Sequence, residues 1–360
     1  MNVDGTAVVY AGHAPKGVPH KVAATTPARA WDCYDSRMHK RTLGRTGIDV
    51  TEIGFGAWGI GGDMWKGAQD DESLRALERF IELGGNFIDT ALGYGNGHSE
   101  ELVGQAAREH PGTVVATKIP PKNMKWPAPK DATADEAFPA EHVIACTERS
   151  LRNLGLPSID VQQFHVWNDD WVGEGDWQDA VTQLKRDGLI RHWGVSINDH
   201  QPENAIRLIE TGLCDSVQVI YNVFDQGPQD RLLDACREYN VGVIVRVALD
   251  EGALTGRITP ETDFPEGDWR HRYFGGNRKQ ELQEHLRAIE RDLGITTDEL
   301  PETALRFVLA HPAVSTVIVG MRSVRNVERN AALADGRGLP DDQVRKLHAH
   351  RWDKNWYNPA

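Results

Sequence analysis

The chain has 360 residues, and its 53 acidic against 40 basic side chains leave a formal charge of −13. That excess argues against a nucleic-acid partner, whose binding depends on clustered lysine and arginine neutralising phosphates. Apolar residues make up 40% and charged residues 26%, the balance of an ordinary soluble enzyme. No window approaches the roughly 18 uninterrupted apolar residues of a membrane span, so no membrane partner is expected. The first thirty positions show no apolar stretch ahead of a cleavage signal, and a cytoplasmic location is expected. Cys33, Cys146, Cys214 and Cys236 stand far apart with no CxxC pair, which removes the zinc-ribbon and disulfide-scaffold patterns and reads as inert thiols.

Residues 1–37 are rich in Ala, Pro, Gly and Thr without helix or strand period, and read as a flexible extension ahead of one domain over 38–360. Leu43-Gly-Arg-Thr-Gly-Ile48 sets two glycines between apolar patches, a hairpin pattern. Short β-branched runs then recur at 53–56, 86–89, 113–118, 159–165, 190–196, 216–221, 242–246 and 314–319. Between and after them lie helical windows at 73–83, 99–109, 140–154, 176–186, 201–211, 230–239, 279–293 with 298–310, and 324–334. Repeats of roughly 35 residues match a closed (β/α)₈ barrel, an α/β fold whose chemistry sits at the carboxyl ends of the strands. Two connections, 119–139 and 257–277, exceed a plain βα loop and are expected to cover a site. A final helix over 341–350 leads into an aromatic and charged tail, which folds over the barrel mouth or packs on its wall.

Gly54-Phe-Gly56-Ala-Trp-Gly59 spells a dinucleotide-binding turn after a strand. In that motif the third glycine lets a helix begin at once, whereas loop residues here run on to about position 73. None of the seven tyrosines has a lysine four positions later, which removes the Tyr-x-x-x-Lys catalyst of a short-chain dehydrogenase. The stronger signal is Asn86-Phe-Ile-Asp-Thr-Ala-Leu-Gly-Tyr-Gly95 with Ser99-Glu-Glu-Leu-Val-Gly104, then Lys118 and His165 closing the next two strands. Gly194-Val-Ser-Ile-Asn198, Gln218-Val-Ile-Tyr-Asn222 and Ile318-Val-Gly-Met-Arg-Ser-Val-Arg-Asn-Val-Glu-Arg-Asn330 follow in order.

In these motifs the chain resembles the aldo-keto reductase family, from about residue 40 to 335. The resemblance implies a catalytic set of Asp89, Tyr94, Lys118 and His165. Hydride reduction of a carbonyl develops negative charge on oxygen and needs an acid there, while free tyrosine with a pKa near 10 is a reluctant donor. Tyr94 is the expected acid, and the ammonium of Lys118 is expected to lower it. Asp89 would hold Lys118, and His165 would orient the carbonyl oxygen. Taken singly, each residue has a plainer reading: a cap, a surface amine, a core histidine, a loop aromatic.

The implied cofactor is NADPH/NADP, with NADH disfavoured. The resemblance places Gly56 and Ala57 on the dinucleotide, and Ser196, Asn198 and Gln218 on its carboxamide. Backbone around Asp250, Gly252, Leu254 and Gly256 suits a pyrophosphate because glycine permits close approach. Gly320, Arg322, Asn326 and Asn330 fall at the adenosine end, where a planar guanidinium suits a 2′-phosphate. Arg322 has the alternative of a surface charge at a helix start. Where many relatives carry an aromatic residue under the nicotinamide, this chain has Arg246, expected at the cofactor, whose planar guanidinium can lie against a ring or reach a phosphate, while a cation beneath the ring would oppose its oxidised form.

Trp58, Trp65, Trp126 and Trp167 lie after strand ends or in the long connections and are expected to wall a pocket for an apolar, aromatic or sugar-like carbonyl or alcohol. His348 and His350 lack further ligands nearby, so no metal is assigned. A monomer or weak homo-oligomer is expected. Two other readings stand beside the reductase: a nucleotide-sensing regulatory subunit on the same scaffold, and a lyase in which Lys118 forms a Schiff base.

Overall fold

The computed structural model describes residues 38–352 and 354–357; the expected flexible extension lies outside them. Strands β1 (Lys40–Thr42) and β2 (Asp49–Thr51) pair antiparallel as the hairpin. Strands β3 (Ile53–Gly56), β4 (Phe87–Asp89), β5 (Val114–Ile119), β6 (Ile159–Phe164), β7 (Ile190–Ser196), β8 (Ser216–Ile220), β9 (Gly242–Arg246) and β10 (Val314–Gly320) follow. They form one parallel closed barrel in chain order, with β10 joined to β3. The fold is therefore a (β/α)₈ barrel, and no strand end moves more than one residue from its sequence-predicted place.

The barrel interior is apolar at the amino ends of the strands and polar at the carboxyl ends. Phe87, Val161 and Ile244 fill the lower layer, and Leu43 and Val50 of the hairpin pack against them as a plug. Gly44 adopts φ +50, and a Cβ on it would stand 2.2 Å from the Gly242 amide nitrogen, so the hairpin can seat only with glycine there. A larger apolar layer between barrel and helices includes Phe55, Val195, Val217 and Leu305. Among the described residues no helix is long and apolar enough to cross a membrane.

Helix 201–211 is shorter than its pattern suggests, running only from Ile206 to Glu210. Asp169, in the loop after β6, accepts from the amides of Arg207 (2.9 Å) and Leu208 (3.2 Å), and this cap from a neighbouring loop fixes the start. The tail takes both of its expected courses. Trp352 stacks on His285 of the outer helix Arg278–Leu293, at 4.0 Å between ring centroids, while Tyr357 reaches the barrel mouth.

Candidate active site

Parallel register brings the predicted residues to one rim. Gly56 pairs with both Asp89 and Gly320, and Ser196 pairs with Gln218. His165 follows β6 directly, its amide donating to Ile119 O at 2.9 Å. Lys118 is buried, and its ammonium has three acceptors: Asp89 Oδ1, Thr90 O at 2.8 Å and Tyr94 Oη at 3.5 Å. The second Asp89 oxygen accepts from Gln218 Nε2 at 2.8 Å and Gln163 Nε2 at 3.2 Å. The Tyr94 and His165 rings meet edge to face at 5.7 Å. The four groups thus converge, and Gln163, whose sequence context offers only strand alternation, joins them as a second-rank hydrogen-bond donor.

The electrostatics depart from expectation at the phenol. Burial of its hydroxyl end and then the charge of Asp89 push Tyr94 upward, rather than Lys118 pulling it down. Lys118 already lies against the Asp89 carboxylate, so its charge is largely compensated before it reaches the phenol. Burial also lowers Lys118, against the opposing pull of Asp89. The imidazole of His165 is held well below its ordinary value by burial, with Lys118 and Arg246 adding to the effect. It is therefore neutral at pH 7 and has one N–H to donate.

Several predicted residues have other places. Trp167 is fully buried, edge to face with Trp171 at 5.7 Å and Trp177 at 5.3 Å, so it belongs to the aromatic filling behind the barrel wall and does not line the mouth. Ala57 is also fully buried; its amide donates to Asp89 O and its carbonyl accepts from Ser99 Oγ, leaving no surface for a ligand. The amides of Asp250, Gly252, Leu254 and Gly256 each donate to a nearby carbonyl (Val247, Leu249, Leu249 and Ala253), so the loop does not present them as a free anion cradle. Asn198 is tied to the 119–139 loop, its Oδ1 accepting from the Ala128 amide at 3.2 Å. Arg246 does not lie free in its slot: Nη2 donates to Asp199 Oδ1 at 2.6 Å and Ile197 O at 3.0 Å.

Other features suit a dinucleotide. Gln218 Oε1 and Asn330 Oδ1 are buried acceptors with no partner among the described residues, one beside the converging groups and one in the helix after the last βα turn. Ser196 is buried next to Gln218 in register, and a Cβ on Gly320 would meet only open space. Ser323 caps the helix Val324–Ala331 by accepting from the Asn326 amide. Arg322 donates to Lys66 O at 3.0 Å and has no carboxylate within ion-pair reach among the described residues. Arg329 is lowered by burial and then by Arg257 and Arg325, which marks these three arginines as gathered together. Arg325 and Arg329 share a helix face at i and i+4, a signal present in the sequence, whereas their approach to Arg257 comes only from the fold.

The mouth is walled by aromatic rings. Trp58 stacks on Tyr94 at 6.0 Å and meets Trp65 at 5.6 Å and Trp269 at 6.0 Å, while Trp126 stands edge to face with His165 at 5.9 Å. Tyr357 packs on Trp269 and Tyr273 and donates to Glu251 Oε1 at 2.6 Å. Trp269, Tyr357, Glu251 and Asp199 carry no motif and emerge only from the folded arrangement.

A barrel with an acid, an ammonium, a carboxylate and an imidazole at one rim defines an oxidoreductase-type site, and comparison with known proteins gives the family. The family model for the Aldo/keto reductase family matches residues 52–351, and the chain belongs to that family. It is 28% identical to the NADH-specific methylglyoxal reductase of Escherichia coli, over 82% of this chain and 93% of that protein. The glycerol dehydrogenase AKR11B4 of Gluconobacter oxydans is similar in structure, with TM-score 0.68 and 27% identity over 88% of this chain and 94% of that one. An aldo/keto reductase of Klebsiella pneumoniae in complex with NADP and acetate has TM-score 0.62 and 25% identity, over 90% of this chain and all of that one.

Proposed function

We propose that this chain interconverts a small carbonyl compound and its alcohol by hydride transfer with a nicotinamide dinucleotide, NADP(H) in preference to NAD(H). The convergence of Tyr94, Lys118, Asp89 and His165 carries the reading. Bound at the rim, the nicotinamide supplies or accepts the hydride. Tyr94 holds the proton that goes to the carbonyl oxygen; its upward shift keeps it protonated and able to act as the acid in reduction. Lys118 and Asp89 fix the phenol's position, and neutral His165 donates a hydrogen bond that orients the oxygen. Gln218 and Ser196 suit the carboxamide, since Gln218 Oε1 lacks a donor among the described residues. Arg322, with Arg257, Arg325 and Arg329, suits the anionic adenosine end and supports NADP(H). The Klebsiella relative's NADP agrees with that choice, while the E. coli relative is named NADH-specific, so the preference rests on these arginines.

Trp58, Trp65, Trp126 and Trp269 suit an apolar or ring-shaped substrate. The acceptors around Lys118 favour a positioned ammonium over the free amine that a Schiff-base lyase requires. The test is Tyr94→Phe, assayed by NADPH absorbance against a panel of aldehydes, ketones and sugars. Turnover is expected to fall by about 10³-fold with NADPH affinity nearly unchanged. Full activity in the variant on every reducible substrate removes the acid assignment.

A further inference from the structure

The charges around Tyr94 form neighbouring ion pairs with one buried group left over, the further carboxylate of Asp63 being exposed. Lys118 pairs with Asp89, Arg246 with Asp199 at 2.6 Å, and Arg278 with Asp250 at 2.7 Å. Glu251, next in the chain to Asp250, is only 9% exposed and has no Lys, Arg or His within ion-pair reach among the described residues. Its Oε1 accepts from the neutral Tyr357 hydroxyl. The backbone there is also unusual: Asp250 (φ 48), Glu251 (φ 54) and Gly252 (φ 101) are all left-handed in succession. Two non-glycine residues held in that region store strain that the rest of the loop must offset, a pattern that gathers at functional sites. The turn leaves the Glu251 carboxyl close enough to Tyr94 and Arg246 for its charge to act on both.

Arg246 alone in the nicotinamide slot would oppose a cationic ring. Asp199 cancels it, and Glu251 then leaves the surroundings one negative charge in excess. We propose that Glu251 is a specificity residue for the redox form of the cofactor: its unpaired carboxylate favours the cationic oxidised nicotinamide over the neutral reduced one and so makes the bound reduced cofactor a stronger hydride donor to the carbonyl. The proposal deepens the functional reading above and rests on it, since it needs the nicotinamide at the ends of β7 to β9. Both redox forms carry the same phosphates, so the ratio of their affinities isolates the charge on the ring.

Burial lifts Glu251 to about 7, against the pull of the Tyr357 hydrogen bond, so near neutral pH it is partly protonated. The groups facing it are Tyr357 from the tail, Asp250 from its own loop, Arg246 from β9, Asp199 after β7, Tyr94 after β4 and Tyr273 from the connection after β9. A cation arriving beside it draws the acid to its ionised form and releases a proton; a neutral ring does not.

The experiment titrates the tryptophan fluorescence of the full chain with NADP⁺ and with NADPH. Glu251→Gln keeps an acceptor for Tyr357 and is expected to shift the affinity ratio toward NADPH on the order of tenfold. Asp199→Asn leaves Arg246 uncompensated and shifts it the same way. Calorimetry near pH 7 in two buffers of different ionisation enthalpy is expected to show proton release with NADP⁺ that is lost in Glu251→Gln and absent with NADPH. A ratio that stays within about twofold in Glu251→Gln, with both cofactors bound, overturns this proposal and leaves the hydride-transfer reading standing. Binding of neither cofactor to the unaltered chain overturns both.

Discussion

As the proposed acid, Tyr94 gives up a proton in reduction and takes one in oxidation, and its upward shift treats the two directions unequally. Protonated phenol is the abundant form at neutral pH, so reduction is expected to vary little between pH 6 and 8. Oxidation draws on the scarce phenolate and should rise with pH through the alkaline range. Measuring both directions against pH checks this, and a slope of oxidation that survives in Tyr94→Phe assigns the base elsewhere. Glu251 supplies a second pH effect, on stability. Its folded-state value of about 7 lies above the ordinary 4.5, so the native form holds its proton more tightly than the unfolded chain does. The resulting stabilisation is complete below about pH 4.5 and is lost as pH rises through 7. Melting curves at pH 5 and pH 8 should therefore show a smaller drop in Glu251→Gln than in the unaltered chain. The proposed quartet was legible through the family resemblance carried by its motifs in order, since each residue taken singly has a plainer reading. Glu251 was not, since its role comes from a left-handed backbone and a tyrosine 106 positions away.

The connections 119–139 and 257–277 were legible as covering loops, because each is long and follows a strand, but what the second of them joins was not. The segment after β3 and the one after β9 hold each other. Trp269 donates its amide to Met64 O at 2.7 Å, and the Lys66 amide donates to Asp268 Oδ2 at 3.1 Å. Arg270 lies over the Trp65 ring at 4.5 Å while pairing with Asp268. Asp268 and Arg270 thus serve as a clasp between loops. Arg322 joins it through Lys66 O, at 5.7 Å from the Trp65 ring. Arg322→Ala is expected to weaken NADPH roughly tenfold or more while changing NADH much less. Fluorescence titration with each cofactor decides this, and equal losses for both reduce Arg322 to a member of the clasp. Trp167 shows the limit of reading loops by composition: a tryptophan just past a strand end looks like a pocket wall, and only the helices around it turn it into core.

A closed barrel separates its two ends, and the division falls between the hairpin plug and the rim. The alternation and turn signals that revealed eight strands also revealed the hairpin, yet nothing in its few residues told which end it would close. Leu43 is fully buried against Phe87, Ile244 and Val50, and a Cβ on Gly242 would stand 2.6 Å from Leu43 Cδ1, so the leucine fits without slack. Removing its branched end leaves a cavity that the surrounding strands cannot readily close. Leu43→Ala should therefore cost about 3 kcal/mol of stability. The strand ends carrying Asp89, Lys118 and His165 lie at the opposite face from the plug. Turnover and cofactor affinity at 20 °C should accordingly match the unaltered protein while denaturant and thermal midpoints fall. A Leu43→Ala protein that keeps its midpoint but loses turnover reverses this assignment and makes the lower end part of the chemistry.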